Sequence, residues 1–197
     1  GNTVAIGYKA LYANSDTGYN NTAVGYLSLT NNTTGDDNTA LGRESLEENT
    51  TGSDNTAVGY KALTANTTGS YNTAGGISAL ATNTTGDFNT AFGRLALLDN
   101  TSGDSNTALG TNALTNNTSA DSNTAVGTNC MNQNTTGSQN TAIGDSSLRN
   151  ATTAVGNVAV GYKALGDGTI TTGHYNVCVG SNTAKNITTG QYNTCVG

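Results

Sequence analysis

Residues able to support catalysis are few in this chain. His174 is the only histidine, so a Ser/His/Asp or Cys/His site would depend on that residue alone. We interpret it as a variable surface residue beside Tyr175. No His/Cys cluster has the spacing of a zinc site. We therefore expect no enzyme activity, no cofactor and no metal centre.

The sequence repeats a short phrase many times, and each of its three cysteines stands where other copies have a small residue, mostly alanine. They are Cys130, Cys178 and Cys195. Because a buried free cysteine behaves as a small apolar residue, we interpret them as parts of a core. The alternative is a disulfide between Cys178 and Cys195, which occupy equivalent places in successive copies of the phrase.

Aspartates recur in segments rich in turn-forming residues. They are Asp36-Asp37, Asp54, Asp87, Asp104 and Asp121. Calcium is one hypothesis, but neither EF-hand spacing nor a GGxGxD repeat is present. We favour turn aspartates that bond to the local backbone.

Asn-x-Thr/Ser triplets are also repeated, at Asn32, Asn49, Asn66, Asn83, Asn100, Asn117 and Asn134. In a secreted eukaryotic protein these would be glycan acceptors. They also follow from a turn that needs asparagine before threonine, which is the interpretation we favour.

A phrase close to Asn-Thr-Ala-aliphatic-Gly recurs along the whole chain. Its closing glycines are Gly7, Gly25, Gly42, Gly59, Gly76, Gly93, Gly110, Gly127, Gly144, Gly161, Gly180 and Gly197. Nine of the eleven intervals between them are equal, as from Gly42 to Gly59, and the other two are longer by one and by two positions. We place the extra residues near Asn14–Asp16 and Gly166–Thr169. The repeat therefore has a period of seventeen.

Seventeen residues are too few for a helical-hairpin repeat but suit one coil of a β-solenoid. The sequence predicts an all-β parallel β-solenoid of about eleven coils over residues 1–197, forming a single repeat domain. Stacked coils would be about 4.8 Å apart in a rod about 55 Å long. We expect this domain to be a fragment of a longer fibrous chain.

Asparagine opens eleven of the twelve copies of the phrase. Stacked asparagines can satisfy their amides from coil to coil. The expected ladder includes Asn21, Asn38, Asn55, Asn72, Asn89, Asn106, Asn123 and Asn140. The positions just after the closing glycine, and just after the glycine of Asn-Thr-Thr-Gly, vary freely.

Side chains alternate along a strand, so asparagine and alanine point one way and threonine and the aliphatic residue the other. The aliphatic column includes Val24, Leu41, Val58, Phe92, Leu109, Val126, Ile143 and Val160. Because soluble monomers rarely expose so long an apolar stripe, it predicts self-association. The alternative is a wider monomeric coil whose interior also holds a recurring leucine. Only Gly75 interrupts the column, and Phe92 one coil away can fill the gap.

Threonine columns suggest a different class, an ice-binding or other Thr-array solenoid. One column runs through Thr22, Thr39, Thr56, Thr73, Thr90, Thr107, Thr124 and Thr141. No Thr-x-Thr strand is present, and association through the aliphatic stripe would bury this column. Its exposure and flatness would discriminate the two functions.

The composition excludes several partners. The net charge is −6 and the seven basic residues are scattered, so we expect no nucleic-acid binding. No stretch is long and apolar enough for a membrane span, so we expect no membrane insertion.

Three phrases carry a family resemblance: NTVAIGYKAL (Asn2–Leu11), NTAVGYKAL (Asn55–Leu63) and NVAVGYKAL (Asn157–Leu165). They resemble the head-domain repeats of YadA-like trimeric autotransporter adhesins, and similar phrasing occurs in bacteriophage tail fibres. The resemblance implies a left-handed β-roll wound as a homotrimer, with the aliphatic column packed inward. The period here is longer, and the extra residues lie in the Asn-Thr-Thr-Gly segment.

These observations favour a stiff trimeric rod, a structural fibre or adhesin segment that attaches to a host or surface receptor. The expected partners are the chain itself, including end-to-end association in a fibre, and a receptor or glycan. The expected location is extracellular, on a cell surface or virion. The candidate receptor surface contains Tyr26, Arg43, Tyr60, Lys61, Arg94, Tyr162 and Lys163.

Overall fold

The computed structural model describes residues 2–13, 18–166, 173–184 and 186–197. Within these residues the chain forms twelve short strands, β1 to β12: Val4–Ile6, Thr22–Val24, Thr39–Leu41, Thr56–Val58, Thr73–Gly75, Thr90–Phe92, Thr107–Leu109, Thr124–Val126, Thr141–Ile143, Val158–Val160, Val177–Val179 and Thr194–Val196. Each pairs in parallel with the next strand along the chain, in one sheet. The prediction of an all-β parallel solenoid with a period of seventeen is confirmed. The described residues include no helix long and apolar enough to cross a membrane.

The strand register keeps equivalent residues side by side. In β4 and β5, Val58 lies opposite Gly75, its equivalent one repeat later. The same alignment holds across both places where the spacing is longer, since Val4 lies opposite Thr22 and Val158 opposite Val177. Of the predicted insertion sites, Asn14–Asp16 and residues 167–169 lie outside the described residues. The longer spacings therefore leave the strand register unchanged.

Hydrogen bonds join neighbouring coils outside the strands as well. The Lys61 amide donates to Arg43 O in the preceding coil, and the Leu63 amide donates to Ala79 O in the following coil, both over 3.0 Å. Lys61 and Leu63 both have positive φ, 56° and 52°. This left-handed conformation costs a non-glycine residue about 1–2 kcal/mol. We attribute its persistence to the inter-coil bonds and, for Leu63, to burial of the side chain.

The closing glycines are required by the same close stacking of coils. Gly59 has φ of 137°, and a Cβ there would lie 2.6 Å from the carbonyl oxygen of Gly76. No side chain fits at that distance from a backbone atom. The same contact with the next coil recurs at the closing glycines from Gly7 to Gly180, which explains why the phrase ends in glycine there.

The interior is filled by columns, each column being the set of equivalent residues in successive coils. A fully buried column consists of Leu29, Leu46, Leu63, Leu80, Leu97, Leu114, Met131, Leu148 and Leu165. It packs with the strand alanines and with a second column of small residues. The leucines thus lie inside the coil, and each contributes about 1.5–3 kcal/mol through burial. The aliphatic stripe does not share this interior, so the wider-coil alternative, in which one chain buries both, is wrong.

The asparagines that open the phrase form a buried ladder. Asn55 Nδ2 donates to Gly69 O over 2.8 Å, and Asn55 Oδ1 accepts from the backbone amide of Asn72 over 3.0 Å. The pattern recurs through Asn21, Asn38, Asn55, Asn72, Asn89, Asn106, Asn123 and Asn140, all fully buried. Because both ends of each amide have partners, these polar groups can be buried without the usual penalty.

A second buried ladder runs through the asparagines of the Asn-x-Thr/Ser triplets. Asn66 Nδ2 donates to Asn49 Oδ1 over 2.7 Å and to Gly69 O over 2.9 Å. The atom that would carry a glycan is therefore buried and bonded twice, which supports the turn interpretation of these triplets. The sequence interpretation missed the ladder itself, although the fixed spacing of asparagine three residues before glycine was a usable signal.

The second ladder ends at Asn134. The equivalent residue in the next coil is Ala151, which has no side-chain amide to donate. Among the described residues, Asn134 Oδ1 is the buried side-chain polar atom without a hydrogen-bond partner. Asn134 Nδ2 still donates to Asn117 Oδ1 over 3.0 Å. The last member of the ladder is thus bonded on one side only.

This difference predicts unequal costs for two identical substitutions. Asn100→Ala removes bonds to both neighbouring coils and leaves Asn83 Oδ1 buried without a donor. We expect it to lower the free energy of unfolding by about 2–4 kcal/mol. Asn134→Ala removes an acceptor that already lacks a donor, so we expect about half that loss. Urea denaturation followed by circular dichroism measures both, and equal losses would contradict the ladder.

Candidate functional site

The outer sheet face, defined as the threonine and aliphatic columns of β1 to β12, lies on the outside of the coil. Strand alanines such as Ala57 are fully buried, whereas Leu41, Phe92 and Ile143 are 47%, 49% and 42% exposed. All the candidate core residues are at least partly exposed: Val24, Leu41, Val58, Phe92, Leu109, Val126, Ile143 and Val160. The predicted alternation is therefore present, and the single chain leaves the stripe in contact with solvent.

The dimensions of the outer sheet face reach the lower limit for a protein interface. Twelve strands about 4.8 Å apart give a length of about 53 Å, and the three extended residues of each strand give a width of about 10 Å. The product is about 530 Å², so two such faces would bury about 1,000 Å² together, which a specific interface needs as a minimum. Both columns consist of threonine, aliphatic residues, Phe92 and Gly75, so the face carries no charge.

Gly75 and Phe92 form a complementary pair on this face. They are opposite each other in β5 and β6. A Cβ at Gly75 would lie 2.5 Å from Cε1 of Phe92, so the ring covers the position where the side chain is missing. The expectation that Phe92 fills the gap is confirmed.

A second surface lies just after the closing glycines of the first coils. The rings of Tyr8 and Tyr26 stack with centroids 5.3 Å apart. The Arg43 guanidinium lies between Tyr26 and Tyr60, with Cζ 5.6 and 5.5 Å from the two ring centroids. Lys61 Nζ lies 5.5 Å from the Tyr60 ring. We call these five residues, on four successive coils, the tyrosine–arginine stack.

Glu44 anchors the cations of the stack. It accepts a hydrogen bond from Arg43 Nε at 2.7 Å and lies 3.4 Å from Lys61 Nζ. Its side chain is 10% exposed, compared with 61% for Arg43. Burial alone would raise the pKa of Glu44, but the bonds from Arg43 and Lys61 outweigh burial and hold that pKa below its usual value.

The structure brings together only part of the predicted receptor surface. Tyr26, Arg43, Tyr60 and Lys61 are in contact, whereas Arg94 follows in the same column after Ile77 and precedes Thr111. Tyr162 and Lys163 form a separate pair, with Nζ 5.5 Å from the ring. The contact of Arg43 with the Tyr26 and Tyr60 rings became visible only in the structure, because these residues lie in three different coils.

The column after the glycine of Asn-Thr-Thr-Gly is less variable than the sequence suggested. The side-chain oxygens of its aspartates and serines accept hydrogen bonds from backbone amides of the preceding coil. Asp104 Oδ1 accepts from the Asp87 amide over 2.7 Å, and Ser53 Oγ accepts from the Asp36 amide over 3.0 Å. The expectation that both positions vary freely was therefore wrong for this one. These aspartates bond across coils rather than within their own turn.

His174 belongs to this column. Its Nδ1 accepts a bond from the Val155 amide over 3.0 Å, so it replaces the aspartate or serine of other coils. The described residues contain no group of three His, Cys, Asp or Glu side chains placed to hold a metal ion. His174 therefore has a visible structural role.

The cysteines are free thiols. Cys130 is fully buried, and its Sγ donates to Ala142 O over 3.2 Å, much as Ser147 Oγ does to Ala159 O. Burial raises the pKa of Cys130 to about 12, and burial together with the adjoining Cys195 thiol raises that of Cys178 to about 12. Cys178 and Cys195 are strand partners, yet no disulfide joins them in this structure.

Comparison of the chain with protein-family models, curated proteins and solved structures finds no match. The resemblance to YadA-like head repeats stays a prediction.

The thiols provide a test of the packing. Little thiolate is present at pH 8 when the pKa is about 12, so we expect iodoacetamide to spare Cys130 and Cys178 in the folded protein. Cys195, which is partly exposed, should react. Mass spectrometry of peptides identifies the labelled residues, and unfolding in urea should make all three reactive. Labelling of Cys130 in the folded chain would contradict the buried core.

Gly75 provides a test of the outer sheet face. Gly75→Val requires the Phe92 ring to swing outward, which is possible in a solvated chain but not against a packed partner. Such overpacking lowers the free energy of unfolding by about 1–3 kcal/mol. If copies associate through this face, as the sequence predicts, the protein carrying Gly75→Val should melt below the unaltered protein, and Gly75→Val with Phe92→Val should regain the loss. Phe92→Val alone is the control for the lost ring. If Gly75→Val raises the melting temperature by itself, the ring is not confined.

Proposed function

We propose that this chain is a segment of an extracellular fibre or adhesin, a stiff rod of three copies packed through their outer sheet faces. The observation that carries the proposal is the uncharged face of twelve strands, whose aliphatic column is interrupted only at Gly75. Contiguous apolar surfaces of this size are typical of interaction sites. The proposed location is a cell surface or a virion.

A second copy of the chain is the occupant best suited to this face. The face has no charged group with which to select an unrelated partner. Two such faces would bury about 1,000 Å² together, which a specific interface needs as a minimum. Identical copies have the same spacing between coils. Equivalent side chains of parallel copies can therefore lie at the same height in every coil of the rod. Closed rotational symmetry then buries the face in every copy. The number three rests on the resemblance to trimeric adhesins.

Such an assembly would act both as a spacer and as a display surface. Backbone and side-chain bonds connect every coil to the next, which makes bending costly. The tyrosine–arginine stack lies outside the outer sheet face and would appear once per copy. Weak contacts to a receptor would then be strengthened by avidity.

A second candidate function is an ice-binding or other Thr-array solenoid. It is favoured by one observation, namely that Thr39 is exposed and the other threonines from Thr22 to Thr141 in its column are partly exposed in the single chain. Association through the same face would cover them. The two functions are therefore mutually exclusive for this surface.

Light scattering on the purified chain tests the proposal. We expect three times the chain mass of 19.8 kDa. Val126→Asp would place a carboxylate in the interface at three equivalent positions, and we expect it to yield monomers because burying unpaired charges costs several kcal/mol. Ser122→Asp is the matched control on an exposed position, where Asp54 already occupies the equivalent place in another coil.

A monomeric mass for the unaltered chain would overturn self-association. Thermal hysteresis would then be measured, since a free threonine face is what the second candidate function requires. A dimeric mass would overturn the number three while retaining the interface. Equal effects of Val126→Asp and Ser122→Asp would show that charge, and not the outer sheet face, controls the mass.

A further inference from the structure

We infer that the tyrosine–arginine stack binds an oxyanion, a carboxylate or sulfate, carried on a saccharide. This inference gives the chemical class of ligand for the attachment surface in the proposed function, and rests on it. The central group is Arg43, whose guanidinium lies between the Tyr26 and Tyr60 rings. The stack is exposed on the outside of the coil.

The position between two rings leaves the edge of the guanidinium as the part available to a ligand. A tyrosine ring lies on either side of the Arg43 guanidinium. All guanidinium donors lie in its plane, so a ligand must meet them at the edge of the group and not at its faces. Nε is bonded to Glu44, which leaves Nη1 and Nη2 as the pair that can bind an oxyanion bidentately.

Arg43 is also held in place before any ligand arrives. Its bond to the nearly buried Glu44 and its two ring contacts restrain the side chain. An unrestrained arginine loses about 2 kcal/mol of rotamer entropy on being fixed. Part of that loss occurs on folding, which favours binding at a shallow surface.

The tyrosines determine the kind of molecule that can follow the oxyanion. Tyr8, Tyr26 and Tyr60 use ring faces on one another or on neighbouring cations, so mainly their edges and hydroxyls are available. Stacked coils place such side chains at intervals of about 4.8 Å. A row of hydroxyl groups suits hydrogen bonds to sugar hydroxyls better than contact with an apolar ligand face.

Neighbouring carboxylates make a long acidic peptide a poorer fit. Glu44 lies within reach of the stack, and Glu47 and Glu48 follow in the same coil. Burial raises the pKa of Glu47, and repulsion from the Glu44 and Glu48 carboxylates raises it further. No pocket for an apolar anchor is found in the described part of the chain. A single oxyanion at Arg43, on a neutral sugar chain, avoids both problems.

Calorimetry with four probes tests the inference: 3′-sialyllactose, which carries one carboxylate, 3′-sulfolactose, which carries one sulfate, neutral lactose, and polyglutamate. We expect binding of 3′-sialyllactose or 3′-sulfolactose, and the stronger of the two identifies the oxyanion. Arg43→Gln should weaken that binding about tenfold, or about 1.4 kcal/mol. Arg94→Gln, which removes the same charge from the same column, should weaken it less than about twofold.

Three outcomes would overturn the inference: binding of neither acidic saccharide, equal losses for Arg43→Gln and Arg94→Gln, or tighter binding of polyglutamate than of both saccharides. Light scattering on the same samples separates this result from the proposed association. Trimers that bind no saccharide would refute the ligand alone. Monomers with Arg43-dependent binding would refute the trimer alone.

Discussion

The distance between successive coils, about 4.8 Å, is the constraint on which this structure depends. At that separation the main chain bonds from coil to coil in the strands and in the turn-rich segments between them. A Cβ added at any closing glycine from Gly7 to Gly180 would collide with the next coil. Left-handed backbone at Leu63 and its equivalents is retained because it directs amides to the neighbouring coils.

Close stacking also permits an interior that ordinary globular proteins avoid. Two buried asparagine ladders run beside the leucine column, and the side-chain amides inside each ladder bond to residues of the coils above and below. Such a ladder works only when equivalent positions carry the same residue, as the unpaired acceptor of Asn134 beside Ala151 shows among the described residues. This interdependence explains why the inward-facing columns are nearly uniform while many outward-facing positions differ.

The outward-facing residues divide into two chemically different surfaces. The outer sheet face is uncharged, largely apolar and continuous over the strands, which suits contact with identical copies. The tyrosine–arginine stack is local, charged and hydrogen-bonding, which suits a polar ligand. One repeat can support both surfaces because the strand and the residues after its closing glycine project side chains in different directions. Self-association and attachment thus need not compete for the same residues.

The sequence by itself determined the length of the coil, the parallel strands, the inward alanines and the first asparagine ladder, because each follows from periodicity and strand alternation. Only the tertiary structure showed the second ladder, the left-handed leucines, the bond from Val155 to His174 and the placement of Arg43 between two rings. These features share one physical cause. Each depends on a partner one repeat away, in the neighbouring coil, and on the direction a side chain or amide takes in a turn. Periodicity reveals which residues recur, but not which of their atoms meet.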